Sequence, residues 1–298
     1  MKYRKLGRTD VMVSAVSLGC MSLPVDDEQM AIRVVHMALD AGINLLDTAD
    51  LYQQGRNEEV VGKAIKGRRE RLFVSTKVGN EWKADGTWTW NPAKAYILKA
   101  AKASLRRLKT DYIDLYQMHG GTMEDPFQES LEAMLQLQSE GLIRYFGISS
   151  IRPNVIQRWV TQSSLASVMV QYSLLDRRPE EQIFPLLAQE ETGILLRGTL
   201  AQGLLVDKPA KDYLQRDTGM VADAQNQIRG LAGTRSMESL ALSFALQRNE
   251  VDSAVIGIRS VDQLNAMLAA AGDVLDPDLY MALKECCPAY TYEQHRIE

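Results

Sequence analysis

The chain has 298 residues, with 34 Lys and Arg against 38 Asp and Glu for a net charge of −4. That balance gives no broad attraction to phosphate backbones or anionic bilayers, so nucleic acid and membrane surfaces are not expected as partners. Hydrophobic residues at 46% and charged residues at 24% supply enough apolar material for a sizeable core and exclude extended disorder.

The opening residues Met1 to Arg8 are charged rather than apolar, and no later run is apolar and long enough to cross a bilayer. The whole chain is therefore read as mature and soluble. Cys20 and the adjacent Cys286 and Cys287 form neither a disulfide framework nor a CxxC metal spacing, which fits a reducing cytoplasm.

In chain order, two short strands are expected around residues 3–6 and 11–13. Aliphatic runs then end near Leu18, Asp47, Lys77, His119, Ser149, Gln171, Arg197 and Gly257. Between and after them, helical periodicity covers residues 28–41, 57–66, 92–109, 126–140, 153–160, 179–190, 236–248 and 261–271. Several of these helices carry a proline at or near the first turn, where its missing N–H costs nothing. Glycines follow the first and fourth, as left-handed C-terminal positions require. Residues 79–91, 120–125 and 202–232 read as loops; the first and last exceed ordinary connectors and become candidate pocket walls.

Eight strand and helix units with no Pro/Ser-rich linker predict an α/β fold. We read a single (β/α)8 TIM barrel over residues 1–298, with a short N-terminal β-hairpin closing the barrel bottom. An open doubly wound sheet would place a Gly-rich phosphate turn after its first strand. Here that turn reads Ser17-Leu18-Gly19-Cys20-Met21-Ser22, with one glycine.

In a barrel the C-terminal strand ends converge on one face, so reactive side chains distant in sequence meet there. Asp47, Lys77 and His119 end three successive strands, and Tyr52 follows five residues after Asp47. Each has a plain alternative: Asp47 a turn cap, Tyr52 a wall aromatic, Lys77 a solvated strand end, His119 a structural histidine. As a set they suit proton transfer to a carbonyl oxygen. A phenol with a pKa of about 10 is lowered by a nearby ammonium. Lys77 would supply that charge, Asp47 would hold Lys77, and His119 would orient the carbonyl. Trp82, Trp88 and Trp90 in the 79–91 loop are candidate walls for an apolar substrate, or simple packing over the rim.

These residues lie in stretches that resemble the aldo-keto reductase superfamily over nearly the whole chain. The stretches are Gly42-Ile43-Asn44-Leu45-Leu46-Asp47-Thr48-Ala49 with Tyr52, Asn57-Glu58-Glu59-Val60-Val61-Gly62, Ser75-Thr76-Lys77, the run from Asp111 to His119, and Arg144-Tyr145-Phe146-Gly147-Ile148-Ser149. Gln171-Tyr172-Ser173-Leu174-Leu175 and the run from Gly257 to Leu264 look more like its bacterial general-reductase and potassium-channel β-subunit branches.

The resemblance implies an NADPH-dependent carbonyl reductase with Tyr52, Asp47, Lys77 and His119 as its catalytic set, Tyr52 giving the proton. It implies NADP(H) extended across the barrel mouth, with Gly19, Cys20, Met21 and Asp47 at the nicotinamide ribose region. Ser149 and Gln171 would grip the carboxamide, and Ser150 stands where many members carry asparagine. Arg197 replaces an aromatic residue and would cover the nicotinamide or reach an anionic substrate. Gly198, Leu200, Gln202 and Gly203 would follow the pyrophosphate, and Gly257, Arg259 and Gln263 would take the adenosine 2′-phosphate. Relatives usually have Glu-Asn where this chain has Ala266-Met267, which reduces the adenine contacts. Substrate contacts would come from Tyr52, His119, Trp82 and Trp88.

Other classes fare worse. A metal-dependent hydrolase needs several histidines at strand ends, yet the three are His36, His119 and His295. A glycosidase needs two flanking carboxylates, and Asp47 is the one clear strand-end acid. A cofactor-binding regulatory or redox-sensing subunit with weak catalysis is the alternative from another class. A small-molecule carbonyl compound is the expected partner.

Overall fold

The computed structural model describes residues 1–297. It begins with an antiparallel hairpin of β1 (Tyr3–Lys5) and β2 (Met12–Ser14). There follow β3 (Val16–Gly19), β4 (Leu45–Asp47), β5 (Phe73–Val78), a second hairpin of β6 (Asn80–Trp82) and β7 (Trp88–Trp90), then β8 (Ile113–Met118), β9 (Ile143–Ser149), β10 (Ser167–Gln171), β11 (Gly193–Arg197) and β12 (Ser253–Gly257). Strands β3, β4, β5, β8, β9, β10, β11 and β12 pair in parallel and in that order, and β12 returns to β3. This is a closed (β/α)8 barrel, which removes the doubly wound alternative.

Among the described residues ten α-helices surround it: α1 (Glu28–Asp40), α2 (Arg56–Ala64), α3 (Lys94–Leu108), α4 (Phe127–Ser139), α5 (Pro153–Gln162), α6 (Ile183–Gln189), α7 (Thr218–Ala232), α8 (Met237–Leu246), α9 (Val261–Ala270) and α10 (Pro277–Cys286). None among the described residues is long and apolar enough to cross a membrane.

The local reasons are visible in α1. Ala31, Val34, Val35 and Ala38 recur at helical spacing and are buried against the barrel. Asp27 caps its start by accepting the Met30 N–H at 3.0 Å. At its end the Ile43 N–H reaches the Ala38 carbonyl across Gly42, whose φ is +90°.

Barrel strands alternate their side chains between the inside and the helices. Leu45, Phe73, Leu115, Met169, Leu195 and Val255 fill the inside, and Leu6 and Val13 from the N-terminal hairpin join the same buried cluster. That apolar plug closes the end of the barrel away from the strand C-termini. The expected hairpin is therefore present, one residue shifted at its edges.

Four expectations need correction. Residues 202–232 are not all loop, because α7 occupies Thr218–Ala232 with Asp217 as its cap. Residues 79–91 fold as the β6/β7 hairpin. The helix expected over 179–190 divides into a 3-10 turn at Arg178–Glu180 and α6, whose first turn accommodates Pro185. Helix α10, capped by Asp276 with Pro277 in its first turn, follows the eighth unit and was not expected.

Candidate active site

The C-terminal end of β4 meets the middle of β5 through register pairing of Asp47 with Ser75. Two residues further along β5, Lys77 points into the same interior space. Its Nζ donates to Asp47 Oδ2 at 2.6 Å, to the Thr48 carbonyl at 2.7 Å and to the Tyr52 hydroxyl at 3.3 Å. The lysine is 1% exposed. An ammonium buried this deeply requires a carboxylate and further acceptors to offset its lost hydration, and these three groups provide them.

Asp47 is supported from below. Its Oδ1 accepts from Ser75 Oγ at 3.0 Å and from Gln117 Nε2 at 3.4 Å, while Gln117 also donates to Ser75 at 2.8 Å.

Tyr52 stands on a short loop whose shape is imposed from outside. Gln53 and Gln54 hold left-handed φ values of 44° and 55°, a strained choice for non-glycine residues that persists where surroundings dictate it. Just beyond, α2 is clamped to the barrel. Asn57 accepts from Thr48 Oγ1 at 2.7 Å and donates to the Cys20 carbonyl at 2.7 Å. Glu58 accepts from Thr76 Oγ1 and from Arg107 Nε, both at 2.6 Å. Gly62 lets α2 lie directly on α3, since a Cβ there would stand 2.6 Å from the carbonyl oxygens of Arg107 and Leu108. The Asn57 to Gly62 stretch therefore positions the tyrosine without touching it.

His119 follows β8. Its ring meets that of Tyr52 edge-on, with centroids 5.9 Å apart, so all four expected catalytic side chains come together. Burial, with the positive charges of Lys77 and Arg197, pushes the His119 pKa down to about 3. The imidazole is neutral at working pH, and its buried Nδ1 has no partner among the described residues.

The phenol departs from expectation. Burial raises the Tyr52 pKa and outweighs the lowering by Lys77, because desolvation penalises a phenolate more than one ammonium, itself paired with Asp47, relieves it. For Lys77, burial acts downward, but the Asp47 carboxylate and the phenol carry the net shift upward. The pair thus rests as neutral phenol and ammonium. Such a phenol can give a proton to an oxygen that is gaining charge.

The β6/β7 hairpin borders this cluster. Asn80 Nδ2 donates to the His119 carbonyl at 3.3 Å, and the Trp82 indole N–H is buried without a partner. Trp90 instead donates to Asp125 at 2.9 Å, tying the hairpin to the loop after β8. Trp88 pairs with Trp82 across the hairpin and is 52% exposed.

A groove runs from the strand ends over β12 towards α8 and α9. Its cavity of about 420 Å³ is lined by Gly198, Leu200, Gln202, Gly203, Gly257, Arg259 and Gln263, seven of the residues expected to hold a cofactor. Ser22, Thr199, Asp207, Lys208 and Glu238 also line it and were not expected. Thr199 Oγ1 is buried there without a partner among the described residues, an orphan that a bound polar group would satisfy. At the start of α9 the Arg259 N–H donates to Gln263 Oε1 at 3.0 Å, and Ser260 caps the helix.

The other expected cofactor residues lie around the mouth. Gly19 ends β3 beside Asp47 and Gly257, Cys20 is fully buried with its thiol pKa pushed up by burial, and Met21 is 61% exposed. Ser149 ends β9, while Ser150 Oγ turns to its own loop and accepts the Arg152 N–H at 3.2 Å. Gln171 and Arg197 are paired in register at the ends of β10 and β11. Arg197 Nη1 donates to Gln171 Oε1 at 2.9 Å, and Gln171 Nε2 donates to Asp176 at 2.9 Å. The Gln171 amide is thus already engaged at both ends, and it aims Arg197.

A closed parallel barrel with a buried Asp and Lys bonded to a part-buried Tyr, a neighbouring His at its strand ends and a long groove beside them is the arrangement of a barrel oxidoreductase. The Aldo/keto reductase family matches residues 15–287, and the chain belongs to that family. It is 44% identical to the uncharacterized oxidoreductase YqkF of Bacillus subtilis, covering 99% of this chain and 100% of that one. It is 32% identical to the aldo-keto reductase YhdN of the same organism, covering 93% and 91%. The NADH-specific methylglyoxal reductase of Escherichia coli is 29% identical, with 91% and 93% covered. Among solved structures, the holo form of aldo-keto reductase AKR11C1 from Bacillus halodurans matches with a TM-score of 0.95 at 45% identity, covering 100% of both chains. Its apo form matches with 0.87.

Ser75 and Gln117 had a readable signal: polar residues two before Lys77 and two before His119, on the inward face of otherwise apolar strands. Lys208 and Glu238 had none, since neither lies at a strand end.

Proposed function

We propose that this protein reduces aldehydes or ketones to alcohols with NADPH, Tyr52 giving the proton. The observation that carries the reading is the Lys77 amine held at once by Asp47, the Thr48 carbonyl and the Tyr52 hydroxyl. Reduced nicotinamide, when bound, supplies the hydride to the carbonyl carbon. The residues do the rest. Neutral His119 hydrogen-bonds the carbonyl oxygen and fixes its direction. As that oxygen gains charge, Tyr52 transfers its hydroxyl proton to it, and Lys77 stabilises the phenolate left behind. Asp47 keeps the amine charged and in place.

The groove fits a dinucleotide. Gly198, Leu200, Gln202 and Gly203 supply backbone close to a pyrophosphate, and Arg259 with the α9 N-terminus suits a 2′-phosphate. The E. coli relative's NADH specificity shows that the family does not dictate the cofactor, so Arg259 is what favours NADPH here. Three free cysteines favour a reducing cytoplasm.

Following NADPH consumption across a panel of aldehydes and ketones tests the activity. Tyr52→Phe should lower turnover by about 10²- to 10⁴-fold, with NADPH affinity changed less than about twofold. Undiminished turnover in that variant would refute the role of Tyr52. NADPH retention by the native protein with no turnover on any carbonyl would favour the regulatory subunit.

A further inference from the structure

Two carboxylates that phosphate binding does not explain line the groove, Asp207 and Glu238, and Glu238 is the one set on its helical wall. Glu238 is in the first turn of α8 and lines the cavity with Leu242 of the same helix and with Gln263, Ala266 and Met267 of α9. Residues four apart share a helix face, so Glu238 and Leu242 look into one space. None of the ion pairs among the described residues includes Glu238.

A free carboxylate repels phosphate and accepts only N–H or O–H donors. The side chains beside it, Leu242, Ala266, Met267 and Ala270, are apolar and suit the faces of a flat ring. An aromatic ring with an amino group at its edge meets both conditions. Within a nicotinamide dinucleotide whose phosphates lie at Arg259, the moiety of that description is the adenine.

We propose that Glu238 accepts a hydrogen bond from the exocyclic amino group of adenine, on the wall that α8 gives to the groove beside the apolar Ala266, Met267 and Ala270 of α9. The inference rests on the cofactor reading above and deepens it. It makes Glu238 a determinant of base identity, separate from the 2′-phosphate recognition at Arg259. An acid in the first turn also complements the positive end of its helix, but that role affects stability and is blind to the base.

The test is a fluorescence titration of the native protein, Glu238→Gln and Glu238→Ala with NADPH and with its deamino analogue, in which hypoxanthine replaces adenine. The analogue presents a 6-oxo acceptor where adenine presents a donor. The native protein should prefer NADPH by about tenfold. Glu238→Gln should bring the two within about twofold, because a carboxamide can donate to the 6-oxo group, and Glu238→Ala should lose affinity for NADPH alone. A preference unchanged in Glu238→Gln, or native protein that binds both dinucleotides equally, overturns the assignment and leaves the cofactor reading standing. Failure of the native protein to bind either dinucleotide overturns both. A lowered melting temperature with the preference intact would reduce Glu238 to a helix-end charge and overturn its role in base recognition.

Discussion

The proposed catalytic cluster and the proposed cofactor groove sit side by side at the barrel mouth and are built by opposite means. In the cluster, Asp47, Lys77 and Gln117 come from adjacent strands and are almost fully buried, and each is held by the others. In the groove, the lining comes from the loop after β11 and from helix ends, and Arg259, Lys208 and Glu238 form no ion pairs among the described residues. Groups that must meet within a few tenths of an ångström are placed on strands, and groups that must wrap a long ligand are placed on segments free to vary.

The comparison breaks most sharply at Lys77. Lys77→Met should remove turnover and also destabilise the fold by about 3–5 kcal/mol, because it leaves the Asp47 carboxylate buried without its cation. Urea unfolding at neutral pH reads this directly, and a variant of native stability would mean that Asp47 is not held charged.

Arg259→Ala should act on the groove alone. A lost charge-assisted contact of about 1.5–3 kcal/mol predicts NADPH affinity reduced tenfold or more, with NADH affinity and the melting temperature of the free protein nearly unchanged. Equal losses for both dinucleotides would remove the 2′-phosphate role.

Per unit of pH, the smallest effect sharpens the boundary between the two regions. Asp50, whose N–H reaches the Lys77 carbonyl, has its pKa raised to about 8 by burial and then by Glu58. An unfolded Asp titrates near about 3.9, so between pH 4 and 8 the native state keeps a proton that the unfolded state releases. Stability from this group is full below that window and falls as pH rises through it, by at most about 1.4 kcal/mol per pH unit. Asp50→Asn should flatten that slope in melts taken from pH 4 to 8. An unaltered slope would show that Asp50 is ionised in the folded protein.

The strand ends were legible because an apolar run that stops at a charged or polar residue marks the mouth of a barrel. Asp47, Ser149, Gln171, Arg197 and Gly257 all fall at observed strand termini, with Lys77 and His119 one residue from theirs. Helix α7 was less legible. Val221, Ala224, Ile228 and Ala232 do recur at helical spacing and are buried, but Gly219 and Gly230 and the small alanines blur the stripe. The acidity of Tyr52 could not be read, since it depends on burial that a list of neighbours does not reveal. Glu238 was hidden for another reason: it acts across a helix pair whose packing belongs to tertiary structure.

The apolar layers beneath Asp47, sealed at the base by Leu6 and Val13, make the barrel a blind well. If Tyr52 gives its proton as proposed, the apolar packing below leaves the open mouth as the route by which that hydrogen is replaced. On that reading an alcohol over the phenol would block the supply. Recharging the proposed acid would then wait for the alcohol to depart, and isotopic substitution of the solvent should be felt at that later stage of the cycle as well as in the chemistry.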